Sequence, residues 1–151
     1  MPFSTAYANS FLNYTFAKNT GLTAPNMVYI GLCTNDPEAD DGTFNELSGK
    51  GYARVLISQK SETYPNVIGS ASARSITNTQ QINWTKATAD WERVNGFGLF
   101  SSETGGTPFF YGKLDLSDEV IAEGGLLVPS GAVALFDPNT LLISFSDTDT
   151  E

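Results

Sequence analysis

The sequence contains no histidine. That excludes Ser-His-Asp and Cys-His catalysis and removes the commonest metal ligand. Its single cysteine, Cys33, excludes a disulfide framework within one chain and any Cys-rich metal site. Charge is also scarce: Asp, Glu, Lys and Arg make up 17% of the chain, below the usual quarter or so. Only eight residues are basic against 17 acidic, for a net charge of −9. A surface without clustered Lys and Arg cannot neutralise phosphates, so nucleic acid is not an expected partner. No apolar run approaches the length of a membrane span. The start, Met1-Pro2-Phe3-Ser4-Thr5, has neither the basic residues nor the apolar run of a signal peptide. The expectation is a soluble protein made in a cytoplasm.

What fills the composition is Ser, Thr, Asn, Gly and aromatic residues, which suits β-sheets and subunit contacts. The 151 residues read as one domain, 1–151, able to bury roughly 68–70% of the surface of its unfolded chain. Phe3, Tyr7, Phe11 and Tyr14 recur at four, four and three residues, which predicts a helix over 3–18 with an aromatic stripe. Leu12 and Phe16 project from its other side. One face can lie on the domain's own sheet; the other meets either a second chain or a loop of the same domain.

After Pro25 the period becomes extended. Met27–Cys33 is a nearly continuous apolar run, as in a central strand. Residues 34–51 read as a long acidic loop, and 52–58 as a strand with Ala53, Val55 and Ile57 on one face. Residues 76–85 predict one or two short strands. Residues 91–100 and 109–116 predict a hairpin about Glu103-Thr104-Gly105-Gly106. Residues 117–124 read as a polar loop and 126–128 as a short strand. A closing hairpin is expected from 132–136 and 141–145 around Asp137-Pro138-Asn139. One helix followed by seven or eight short strands predicts a mostly β fold, an antiparallel β-sandwich of jelly-roll type.

Candidate chemistry is thin. Cys33 lies in an apolar run with no basic neighbour to activate it. Asp36-Pro37-Glu38-Ala39-Asp40-Asp41-Gly42 invites a calcium reading, but from Asp36 the sixth position is Asp41 rather than Gly and the twelfth is Leu47 rather than Glu. A looser calcium loop over 36–46 stays open. Gly96-Phe97-Gly98 has no following helix and so is no phosphate loop; glycine there marks a bulge or a close backbone approach. The aromatics Tyr64, Trp84, Trp91, Phe109, Phe110 and Tyr111 suit a core or subunit contact, with sugar stacking as the alternative. No cofactor is implied, and no enzyme.

Several segments stand in a telling order: Phe3-Ser4-Thr5-Ala6-Tyr7-Ala8-Asn9, Val28-Tyr29-Ile30-Gly31-Leu32, Thr34-Asn35-Asp36-Pro37, Gly51-Tyr52-Ala53-Arg54-Val55, Ala87-Thr88-Ala89-Asp90-Trp91 and Gly96-Phe97-Gly98-Leu99-Phe100 before Thr104-Gly105-Gly106. The chain thereby resembles small structural proteins of tailed bacteriophages, a tail-fibre-like or virion decoration group. The resemblance runs from Phe3 to about Leu114; the loop at 40–44 and residues 117–131 depart from it. It implies a virion structural protein with no catalytic motif. The expected role is a capsid decoration, or cement, subunit on the outer capsid surface, with the major capsid protein as partner. It would self-associate as a homotrimer through Phe3, Tyr7, Phe11 and Tyr14. The alternative is a tail- or fibre-associated module that binds host-surface carbohydrate.

Overall fold

A computed structural model describes residues 3–17, 25–60 and 67–144. Residue 18 of the expected helix, Tyr64, and residue 145 of the expected last strand lie outside the described residues. Among the described residues, eight short strands and two helices follow in the order α1 (Thr5–Phe16), β1 (Met27–Cys33), β2 (Val55–Gln59), β3 (Ser75–Thr77), β4 (Ile82–Asn83), β5 (Gly96–Phe100), β6 (Phe110–Lys113), α2 (Asp118–Ala122), β7 (Leu135–Phe136) and β8 (Leu142–Ser144). All strand pairings are antiparallel. The class is therefore mostly β, as expected. The pairings form one four-stranded sheet, β2-β1-β5-β6, and two ribbons, β3-β8 and β4-β7.

The sheet is built on its two most apolar segments. β5 is buried along its whole length, and β1 is buried from Ile30 to Cys33. They pair with Ile30 opposite Leu99 and Leu32 opposite Phe97. These four side chains, with Ile57 and Phe110, form the sheet's share of the core. β5 and β6 are the expected hairpin, with Leu99 opposite Phe110. Gly96 and Gly98 mark close approaches: a Cβ on Gly98 would stand 2.8 Å from the Phe44 ring, and one on Gly96 would collide with Pro37 and stand 2.8 Å from the Cys33 sulfur.

The chain changes sheets at Asn95. Its N–H donates to Cys33 O (2.9 Å), while its side-chain Nδ2 donates to Thr34 O (2.7 Å) and Gly124 O (2.8 Å). Before this corner, residues 84–94 pair irregularly with 126–134. Trp84, Ala87, Trp91 and Val94 donate to Ala134, Ala132, Val128 and Leu126 in turn. The expected strand from Trp91 thus begins only at Gly96, and 126–128 makes a single bridge, Val94–Leu126, instead of a strand. From this side Ile82, Trp84, Trp91, Val94, Val128 and Leu141 complete the core.

Two further expectations are corrected. Residues 132–136 and 141–144 do not pair with each other: β7 joins β4 and β8 joins β3. Asn78 explains this. Fully buried, it donates through Nδ2 to Asp137 O (2.9 Å) and Gln80 O (2.8 Å), and it accepts from Leu141 N–H (2.9 Å) at Oδ1. This side chain clamps the Asp137–Leu141 turn onto 75–83, so both flanking strands lie there. The second correction is α2, which occupies the expected loop at 117–124. Ser117 caps it by accepting from Val120 N–H (3.4 Å). Asp118 and Glu119 suit the positive end of the helix. Gly124 and Gly125, both at positive φ, end it.

Candidate interaction surface

The N-terminal helix is held by its first turn. Ser4 N–H donates to Phe109 O (3.0 Å), and Phe3 forms a bridge with Phe110 beside the edge strand β6. The Ser4 hydroxyl caps α1 by accepting from Tyr7 N–H (3.3 Å). The Phe3 ring meets Phe110 edge-on at 5.0 Å and stacks on Tyr7 at 5.4 Å, and Tyr7 leans on Phe109 at 5.2 Å. Beyond Tyr7 the large side chains of the helix are exposed among the described residues. Phe11 is 46% exposed, Leu12 51%, Tyr14 56% and Phe16 77%.

The structure therefore divides the four residues of the aromatic stripe. Phe3 and Tyr7 fasten the helix to its own domain; Phe11 and Tyr14 stand in solvent with Leu12 and Phe16. Neither face of the helix is buried. Its residues Thr5–Phe16 carry no charge. A 12-residue helix rich in aromatics is marginal in water without tertiary packing.

Of the other described aromatics expected to face core or partner, Trp84, Trp91, Phe110 and Tyr111 are buried and Phe109 packs partly buried against the core. Trp84 and Trp91 are each 3% exposed. Exposed large aromatics occur, among the described residues, on α1 alone. Exposed aliphatics gather elsewhere, at Ile121, Leu126, Leu127, Val133, Leu135 and Leu142. Leu126 and Leu142 line a groove of about 330 Å³ with Phe97, Leu114 and Phe136; Lys113 and Asp115 are its two charged members.

The acidic loop turns out to be a closed excursion. Cys33 and Glu46 bridge its base, Thr34 N–H donates to Asn45 O (2.9 Å), and Leu47 N–H to Leu32 O (3.0 Å). Asn35 organises its interior by donating to Asp40 Oδ2 (2.8 Å) and Thr43 O (2.7 Å) and accepting from Asn45 N–H (2.9 Å). Asp36 accepts from Glu38 N–H (2.9 Å) and Ala39 N–H (3.3 Å). The carboxylates of Asp36 and Asp40 are thus used as turn acceptors. No group of three or more His, Cys, Asp or Glu suited to a metal ion occurs among the described residues. Cys33 is buried, and burial pushes its thiol up to about 12, so it is inert at neutral pH.

A clasp that the sequence did not disclose joins Glu46, Tyr52, Arg54 and Phe100. Arg54 donates from Nε to Glu46 Oε1 and from Nη2 to Oε2, both at 2.7 Å. Its Nη1 donates to the carbonyls of Ser102 and Gly105, both at 2.9 Å. The guanidinium stands 3.4 Å from the centroid of the Phe100 ring. Tyr52 donates to Glu46 Oε1 (2.8 Å) and accepts from Leu32 N–H (2.9 Å), and burial holds its phenol well above the usual range. A Cβ on Gly31 would stand 2.9 Å from both Glu46 Oε1 and the Tyr52 oxygen. The segments 28–32, 51–55 and 96–105 thus meet at one point, where they lock the β5–β6 turn to the sheet.

This frame and its projecting helix coincide with a known family. The podophage GP4 fiber I protein gp80 family (Gp80) matches residues 2–135. The chain belongs to that family. It is therefore a small structural protein of a tailed phage, of tail-fibre-like type, and a component of the virion. The match spans α1, the four-stranded sheet, the Arg54 clasp, β3, β4 and α2, and ends at Leu135, the first residue of β7. No curated protein matches the chain.

Proposed function

We propose that the chain is a fibre-associated structural subunit that assembles through α1 and performs no catalysis. The observation that carries this reading is the uncharged helix fastened only at its first turn, with Phe11, Leu12, Tyr14 and Phe16 exposed. Such a helix gains its stability from the surface it docks on. The sheet, clasped by Arg54, supplies the rigid base. A homo-oligomer, expected to be a trimer, follows from self-association of this surface. Host carbohydrate, if bound, would meet the same aromatics.

The second reading is a capsid cement subunit on the outer capsid surface, with the major capsid protein as partner. Its support is the net charge of −9, which keeps the chain away from packaged DNA. The family match favours the fibre. Quantitative mass spectrometry of purified particles separates them. A fibre subunit is present at a small symmetric number of copies, whereas a cement subunit is present at hundreds. A copy number tracking that of the major capsid protein overturns the fibre reading.

A further inference from the structure

Asn95 and Gly96 are each required by packing, for separate reasons. Asn95 has to present two donors, because its Nδ2 gives one hydrogen bond to Thr34 O (2.7 Å) and one to Gly124 O (2.8 Å). A carboxylate in its place would turn an acceptor on both carbonyls. Gly96 has to lack a side chain: a Cβ there would collide with Pro37 and stand 2.8 Å from the Cys33 sulfur and 3.0 Å from Gly112 O. Together the two requirements create an Asn-Gly pair, which occurs only here in the sequence. In an open chain that pair is chemically unstable. Glycine sets no side chain in the way of its own nitrogen and lets the backbone turn freely, so this nitrogen can reach the neighbouring side-chain amide.

We propose that Asn95 is a deamidation site of the unfolded chain alone, and that the corner it builds is both its protection and the structure its loss destroys. In the reaction the Gly96 nitrogen gives up its proton to base and attacks Asn95 Cγ. A new N–C bond forms, the Cγ–Nδ2 bond breaks, and Nδ2 takes up a proton and leaves as ammonia. Water then opens the cyclic imide at one of its two carbonyls, which leaves an aspartyl or an isoaspartyl residue at position 95. One water is consumed and one ammonia released, with no change of oxidation state.

The fold holds the reacting atoms apart. Besides its two Nδ2 bonds, the Asn95 amide is backed by Gly125, where a Cβ would stand 2.6 Å from both Nδ2 and Oδ1. Arg93 fixes that turn by donating from Nη1 to Gly125 O (2.8 Å). The backbone is held on both sides: Asn95 N–H donates to Cys33 O and Leu114 N–H donates to Asn95 O, both at 2.9 Å. Ring closure brings Cγ onto the Gly96 nitrogen, so it has to break the Nδ2 bonds and turn this anchored backbone. It therefore proceeds through opening of the corner. In either product an oxygen replaces Nδ2 beside the carbonyls of Thr34 and Gly124, and both hydrogen bonds are lost. The isoaspartyl form also adds a methylene to the backbone at the head of β5, an interior strand of the sheet, and so shifts its register. Chains that fold promptly keep the site intact; chains that stay unfolded lose the ability to build the corner.

The test ages the wild-type chain in mildly alkaline buffer made with heavy-oxygen water, one sample folded and one unfolded in urea. Peptide mapping follows Asn95, where deamidation appears as incorporated heavy oxygen. The unfolded sample is expected to lose Asn95 at least about tenfold faster, the protection supplied by an opening that costs only ~1.4 kcal/mol. After urea is removed, size-exclusion chromatography is expected to return intact Asn95 in the native fraction and modified chains outside it. Asn95→Asp, which carries the aspartyl product from the start, is expected to show a lower urea midpoint than wild type or no native fraction at all. Equal rates in the two samples overturn the protection. Modified chains with native elution and native near-UV circular dichroism, or an Asn95→Asp midpoint equal to that of wild type, overturn the corner's dependence on the amide.

Discussion

Arg54 and Glu46 form a two-pronged ion pair, with both N–H···O distances at 2.7 Å. The arginine side chain is 3% exposed and the glutamate 25%. Removing one member of a buried pair costs about 3–5 kcal/mol, because the other charge is stranded. Glu46→Gln is therefore expected to lower stability by roughly 3 kcal/mol, toward the low end because Glu46 keeps some water. Urea denaturation checks this as a shift in midpoint without a change in slope. An unchanged midpoint would show that the clasp is ornamental.

The clasp also shows what the sequence could and could not disclose. Met27–Cys33 and Gly96–Phe100 were legible as buried strands because their apolar runs are continuous. The β5–β6 hairpin was legible from its Gly-Gly turn. Arg54 was not, because a lone arginine in a strand pattern reads as an outward polar residue; its partner Glu46 lies across a loop. The pairing of β7 and β8 was hidden for the same reason, since it depends on one buried asparagine, Asn78, some 60 residues away. α2 did carry a local signal, Ser117 before Asp118 and Glu119 with Gly124-Gly125 beyond. The aromatic helix was legible as a helix, but the exposure of Phe11, Leu12, Tyr14 and Phe16 among the described residues was not, because periodicity reports a face and not what lies against it.

The two tryptophans give a matched pair. Trp91 Nε1 donates to Lys50 O at 2.9 Å. Trp84 Nε1 is buried with no hydrogen-bond partner among the described residues. Each Trp→Phe change removes similar volume, so their difference reports the hydrogen bond. Trp91→Phe is expected to cost about 1 kcal/mol more than Trp84→Phe. Equal costs in thermal or urea melts would contradict the assignment.

Cys33 sets an alkaline limit. Its thiol titrates at about 12 in the fold against 9.0 for the free group. Between these values the folded chain holds a proton that the unfolded chain releases, so stability falls as pH rises. The contribution is complete below pH 9 and lost progressively toward pH 12. Cys33→Ala should flatten this part of the stability–pH curve. The native thiol should also resist a disulfide reagent at pH 8 until denaturant is added. Rapid labelling of folded protein would refute its burial.

Chelation is expected to change nothing. Asp36 and Asp40 are already engaged by backbone and side-chain N–H groups, so the loop at 36–46 holds its shape through its own hydrogen bonds. The melting temperature in EDTA should match that in calcium to within the error of the scan. A drop of several degrees in EDTA would restore a calcium site in this loop, since a ligand bound only to the folded state raises its stability.

Gold labelling of intact particles with an antibody against this chain tests the central claim most directly. The fibre reading predicts gold on the fibres and none over the shell. Gold spread evenly over the capsid shell would contradict it and establish the cement placement instead.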